Sequence, residues 1–177
     1  IKLKTQPADS KPYVFVNPLN MNIPFSHPTD FSGNNAIAGV LTYCEATAST
    51  CDEYVSNVTF GTINNTTECT TGGYADYSNL TNTIIPGIPQ PITVTNGYPY
   101  SSDQCGIWVD WNGNTDFTDD APIIVSGSPG VGPYTATISV PTGTNPGSYR
   151  IRIRVMYTGT LSPCGNTSYG ETEDYTV

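Results

Sequence analysis

A chain of 177 residues with 15 acidic and 6 basic side chains has a formal net charge of −9 and a pI near 4.1, a balance that repels phosphate backbones and anionic lipid and argues against nucleic-acid or membrane-surface partners. Only 12% of its residues are charged, and its wealth of Thr, Ser, Asn, Gly, Pro and Tyr favours strands and turns over helices. No apolar run reaches membrane-spanning length and no signal-peptide pattern opens the chain, so the sequence reads as a mature or excised piece.

Residues 1–35 hold Lys2, Lys4, Lys11, several prolines and the single histidine, His27, without a sustained period. They read as an extended leader or linker. Residues 36–177 have a different texture: short β-rich runs such as "EYVSNVTFGTI", "TIIPGIPQPITVTNGYPY", "CGIWVDW" and "PIIVSGSPGVGPYTATISV", separated by Asn-Gly, Pro-Gly and Gly-Gly turns. Only Glu53 to Asn57 suits a helical turn. This spacing predicts an all-β antiparallel β-sandwich, jelly-roll or Ig-like, of about seven to nine strands. Sequons at Asn57, Asn64 or Asn65, Asn79 and Asn166 are expected in surface loops.

The segment "WVDWNGNTDFTDDAP" gathers oxygen donors at Asp110, Asn112, Asn114, Asp116, Asp119 and Asp120. Ligands on alternate residues let a chain curl around a calcium ion, which takes six to eight oxygens. The first four candidates have that spacing, although no glutamate closes the twelfth position of an EF-hand. A solvated Asn/Gly/Asp turn is the other reading.

In "YRIRIRVMY" a period of two sends Tyr149, Ile151, Ile153, Val155 and Tyr157 to one face and Arg150, Arg152, Arg154 and Met156 to the other. Of the 15 acidic residues 13 lie beyond residue 35, and the three arginines are the only basic residues there. The row either pairs with carboxylates of a neighbouring strand, for which "GETEDYTV" offers Glu171, Glu173 and Asp174, or forms a platform for a sulfated or uronic-acid polysaccharide.

Taken in order, "LTYC", "CDEYVSNVTFGTINNTTEC", "GGYADYSNLT", "DQCGIWVDWNGNTDF", "GPYTATISVP", "RIRIRVMYTGTLSPCG" and "SYGETEDYTV" resemble the successive blocks of the GEVED domain, from about residue 41 to 177. The motif is written here Gly170, Glu171, Thr172, Glu173, Asp174, with threonine in place of valine. The acidic loop departs from the family pattern at Asn114, Thr115 and Pro122. The resemblance implies a β-sandwich with a non-catalytic, accessory role in large secreted or surface-displayed bacterial proteins, beside peptidases, glycan-active enzymes and adhesins.

The five cysteines lack zinc or redox spacing and are expected to form disulfides in an oxidising, extracellular setting. Cys105 with Cys164 and Cys51 with Cys69 is the preferred pairing, leaving Cys44 single; Cys44 with Cys51 is the rival. His27 stands alone in the leader, which argues against a nucleophile-histidine enzyme, and the carboxylate pairs Glu171 with Asp174 and Asp110 with Asp119 have no legible separation. Twelve tyrosines and two tryptophans exceed what a core needs, and Tyr74, Tyr77, Tyr98, Tyr100, Trp111, Tyr134 and Tyr169 are candidates, with the arginine row, for stacking on sugar rings and bonding their hydroxyls. The expectation is a calcium-stabilised carbohydrate-binding or adhesion module of a larger secreted protein, its partners a polysaccharide or cell-surface glycan and the neighbouring domains. The alternatives are a structural spacer or protein-interaction domain without glycan affinity, and a substrate-capture domain beside a secreted peptidase.

Overall fold

A computed structural model describes residues 42–50 and 52–177, which fall within the compact unit Val40–Val177. The expected leader, His27 and Cys51 lie outside the described residues.

The described residues form nine strands and no helix: β1 (Ala46–Thr50), β2 (Tyr54–Phe60), β3 (Ile63–Thr66), β4 (Tyr74–Thr81), β5 (Gln90–Gly97), β6 (Gln104–Val109), β7 (Tyr134–Ile138), β8 (Arg150–Met156) and β9 (Gly165–Thr176). One sheet has the order β3-β2-β5-β7, and the other β1-β9-β8-β6 with β4 also on β9. Their inner faces share one core. Val55, Val58, Phe60, Ile92, Val94 and Ile138 come from the first sheet, and Ile107, Val109, Ile151, Ile153, Val155 and Tyr175 from the second.

Three expectations need correction. Residues 53–57, expected as a helical turn, begin β2, where the register slips between Val55 and Asn57. This bulge lets Val55 and then Val58 and Phe60 face the core although their numbers change parity. The sandwich is also not wholly antiparallel: β1 and β4 both pair with β9 in parallel, β1 at residues 165–169 and β4 at 172–176. Lying along one edge of β9, they connect to it through long stretches of chain, which parallel pairing requires. The sequons Asn57, Asn64, Asn65, Asn79 and Asn166 sit in strands β2, β3, β4 and β9, not in loops.

The second sheet is covered on both faces. Arg152, Arg154, Trp108 and Met156 on its outer side are as buried as the core residues, and the rings of Tyr74 and Phe117 pack against Arg152 there. This is why "CGIWV" and "IRIRVM" are buried along their whole length.

Candidate functional site

The arginine row is structural. Arg152 pairs in register with Asp174 and donates from Nε and Nη2 to its two carboxylate oxygens, both at 2.8 Å. Its guanidinium lies over Phe117 at 4.7 Å and beneath Tyr74 at 5.8 Å. A third donor, Nη1, reaches the carbonyls of Cys44 and Pro163. Arg150 bonds Asp76 at 3.1 Å and lies 3.7 Å from Asp174. Arg154 departs from the carboxylate-pairing expectation: it donates to the carbonyls of Ser162, Cys164, Thr47 and Gly165. Burial, and then the neighbouring Arg152, pull it below the usual arginine range. These side chains are consumed by the scaffold and do not form the ligand platform that the sequence left open.

Each member of the 170–174 motif has a separate task. Gly170 has φ +136, and a Cβ there would overlap the Val155 carbonyl oxygen. Glu171 and Glu173 point into the core, on the face shared with Ile153 and Val155. Glu171 accepts from the backbone N–H of Val55 at 3.0 Å and of Thr70 at 2.8 Å, holding the bulged end of β2 across the sandwich. Glu173 accepts from Thr67 and from the Tyr175 hydroxyl. Burial, reinforced by Glu171, pushes its carboxyl up to about 7 against those hydrogen bonds. Asp174, on the opposite face of β9, receives Arg152 and the Tyr74 hydroxyl. Glu171 and Asp174 therefore do not share a cleft.

The acidic loop is built by asparagine and aspartate side chains turning back on their own backbone. Asp110 is fully buried. Its Oδ1 accepts from Gly113 and Asn114 N–H, and its Oδ2 from Thr115 N–H and the Tyr43 hydroxyl. Asn112, Asn114 and Asp116 each accept from the backbone two residues on, while the amides of Asn112 and Asn114 both donate to Asp119. Phe117 drops from the loop onto Tyr43 and Arg152. Thr115 takes φ +66, a left-handed conformation costly for a β-branched residue. Asp120 has one buried oxygen without a partner, and its carboxyl is pushed up to about 6 by burial, then by Asp110 and Asp119.

Among the aromatic candidates, Tyr134 is buried and donates to the Gly130 carbonyl, so it is not a contact residue. Tyr74 is committed to Asp174, Tyr77 packs on Tyr175, and Trp111 packs on Tyr149 at the border of the core. Tyr98, Tyr100 and Tyr169 are exposed. Tyr157, assigned by periodicity to the inner face, lies one residue past β8 and is 38% exposed. Tyr157 joins Tyr100 and Tyr169 edge to face, with ring centroids 6.0 and 6.1 Å apart. Beside this strip a groove of about 490 Å³ is lined by Thr158, Thr160, Asn166, Thr167 and Ser168. The run of period-two residues concealed Tyr157; the bend of the chain at 157–159 was not legible from "YTGT" alone.

The expected bridge from Cys105 to Cys164 is replaced by Cys44–Cys164, with Cα atoms 5.6 Å apart. Cys105 lies on the core face of β6 as a free, buried thiol, whereas Cys164 precedes β9 near Arg154 on the other side of the sheet. Burial pushes the Cys105 thiol far up. Cys69 is disulfide-bonded.

A two-sheet β module, with its ionic residues turned to internal use and a tyrosine strip on its surface, is the class of protein these features define. Residues 104–177, from β6 through β9, match the model of the GEVED domain family. Over those residues the chain is similar to GEVED domains, a family of accessory modules. No curated protein and no solved structure matches the chain.

Proposed function

We propose that the chain is a non-catalytic carbohydrate-binding or adhesion module of a larger secreted protein, stabilised by calcium, with neutral polysaccharide or cell-surface glycan as its ligand. The observation carrying this reading is the exposed run Tyr100, Tyr157 and Tyr169 beside a groove of hydroxyl and amide side chains. Aromatic faces take up the apolar faces of sugar rings, and Thr, Ser and Asn serve their hydroxyls. A neutral ligand is favoured because Arg150, Arg152 and Arg154, the cations among the described residues, are already engaged. The Cys44–Cys164 bridge and the bonded Cys69 support an oxidising compartment.

Calcium would be held by the 110–120 loop. The unpartnered Asp120 oxygen and the crowding of Asp110, Asp119 and Asp120 suit a hard cation that takes oxygen donors. Among the described residues no three acidic side chains form a ready cage, so Asn112 and Asn114 would contribute their amide oxygens, which accept from the backbone N–H of Asn114 and Asp116.

The spacer reading has its own support: the charges of the 170–174 motif are all used within the fold. Affinity electrophoresis and a glycan array over neutral and sulfated polysaccharides, with and without calcium, separate the two. Retention on neutral glycans that is lost in Tyr157→Ala supports binding. Silence on every glycan leaves the spacer.

A further inference from the structure

At one end of the sandwich core, three polar side chains occupy positions where the strand pattern calls for apolar ones. Glu53 precedes Val55 by two residues and shares its inward direction. Asn96 follows Ile92 and Val94 with the same parity, and Asp103 precedes Cys105 and Ile107 likewise. Glu53 is 3%, Asn96 7% and Asp103 0% exposed. Register places Asn96 opposite Val55 and Gly97 opposite Tyr54, so Glu53 and Asn96 lie at the same end of the β2–β5 pair. Asp103 comes from the opposing sheet and meets Asn96 at 2.6 Å.

Each of the three retains a buried oxygen with no hydrogen-bond partner: Glu53 Oε2, Asn96 Oδ1 and Asp103 Oδ1. The Asn96 orientation is fixed, because its amide nitrogen donates to Asp103 Oδ2 and to the Tyr134 hydroxyl; turning it over would set oxygen against carboxylate. Asp103 Oδ2 also accepts from Tyr100 N–H. Buried oxygens of this kind are satisfied in nearly all folded proteins, and orphans point to an unseen ion or water. Two carboxylates at one buried end repel each other unless a positive charge lies between them. In agreement, both carboxyls are raised: Glu53 by burial and then Asp103 and Asp52, Asp103 by burial.

We propose that Glu53, Asn96 and Asp103 supply the ligands of a second cation site, for a divalent ion of calcium type, set into the end of the core and separate from the 110–120 loop. Oxygen donors alone select a hard cation over zinc, and two carboxylates balance a double charge. The ion would join β2 and β5 of one sheet to the start of β6 in the other, and would brace the turn that carries Tyr98 and Tyr100. This assignment does not rest on the glycan reading.

The test uses the full chain with the loop silenced by Asp116→Asn and Asp119→Asn, stripped of metal and titrated with calcium by calorimetry and thermal melting. One ion per chain and a raised melting temperature are expected. Glu53→Gln added to this background is expected to lose the heat and the thermal shift while melting, metal-free, no lower than its parent, because one of two buried like charges has gone. Glu53→Asp, which keeps the charge but withdraws it by one methylene, is expected to weaken the ion by at least the about 10-fold that outer-shell changes cost. Absence of calcium binding in the silenced chain at millimolar concentration would overturn the site, as would equal binding with and without Glu53→Gln. Either result would point to a shared proton between the two carboxyls.

Discussion

Arg152 and Asp174 are direct cross-strand partners joined by two parallel hydrogen bonds of 2.8 Å, with both side chains essentially removed from solvent. Removing one member of such a pair leaves the other charged and buried, at a cost of about 3–5 kcal/mol. Asp174→Asn is expected to lose stability of that order in urea denaturation. Arg152→Lys should fail nearly as badly, since a lysine cannot reproduce the fork or the stacking between Phe117 and Tyr74. A loss below about 1 kcal/mol, the scale of an exposed pair, would contradict the structural role.

Gly170 is set by backbone and space together. Gly170→Ala is expected to cost more than about 2 kcal/mol, through its φ of +136 and overlap with the Val155 carbonyl. Gly87→Ala is the control: φ is also positive, at +82, but nothing stands within 4 Å of the added carbon. Comparable melting temperatures for the two variants would remove the steric argument.

The left-handed Thr115 is a strain that glycine relieves. Thr115→Gly keeps the N–H that Asp110 receives, and is expected to raise stability by about 1 kcal/mol, somewhat reduced by the greater freedom of the unfolded chain. If the loop holds calcium, the same variant should also gain affinity by calorimetric titration. A destabilised variant would show that threonine is accommodated there without strain.

Glu173 makes a pH prediction of definite sign. Its carboxyl is raised to about 7 in the fold from an ordinary value of 4.5, so between these pH values the native state holds a proton that the unfolded chain releases. Stability should therefore fall as pH rises from 4.5 to 7 and level off above it, by roughly 3 kcal/mol at most for the single group. Glu171 and Asp120 are raised as well and act in the same sense. Glu173→Gln should flatten the profile and exceed the parent in stability at pH 8. A parent protein more stable at pH 8 than at pH 5 would exclude this account.

Tyr157 is the centre of the exposed strip, touching Tyr100 and Tyr169. Tyr157→Ala is expected to weaken retention in a neutral-polysaccharide gel at least about tenfold while shifting the melting temperature little, since an exposed ring contributes little to the core. Unchanged retention alongside a large thermal loss would make the strip a packing feature.

Much of the second sheet is legible in the sequence. Ile151, Ile153 and Val155 alternate with the arginines, and Asp174 falls where a carboxylate for Arg152 is needed. The inward turn of Glu171 is not legible, because its partner is the backbone of Val55, 116 residues away, at a bulge that no local pattern marks. Cys105 is ambiguous for a different reason. Every residue of "CGIWV" is buried, so period two gives no inside and outside, and closeness to Cys164 across the strand pair conceals that the two cysteines lie on opposite faces. The acidic loop is written plainly as a series of Asx turns, whereas the end of β8, and with it the exposure of Tyr157, depends on where pairing with β6 stops.

Because β9 is the common neighbour of β1, β4 and β8, three strands made earlier wait for one made later. Ala46 meets Gly165, 119 positions further along the chain, and such high contact order slows folding. During translation the earlier strands would leave the ribosome with unsatisfied edges, exposed to aggregation until β9, Gly165–Thr176, arrives to close the sheet.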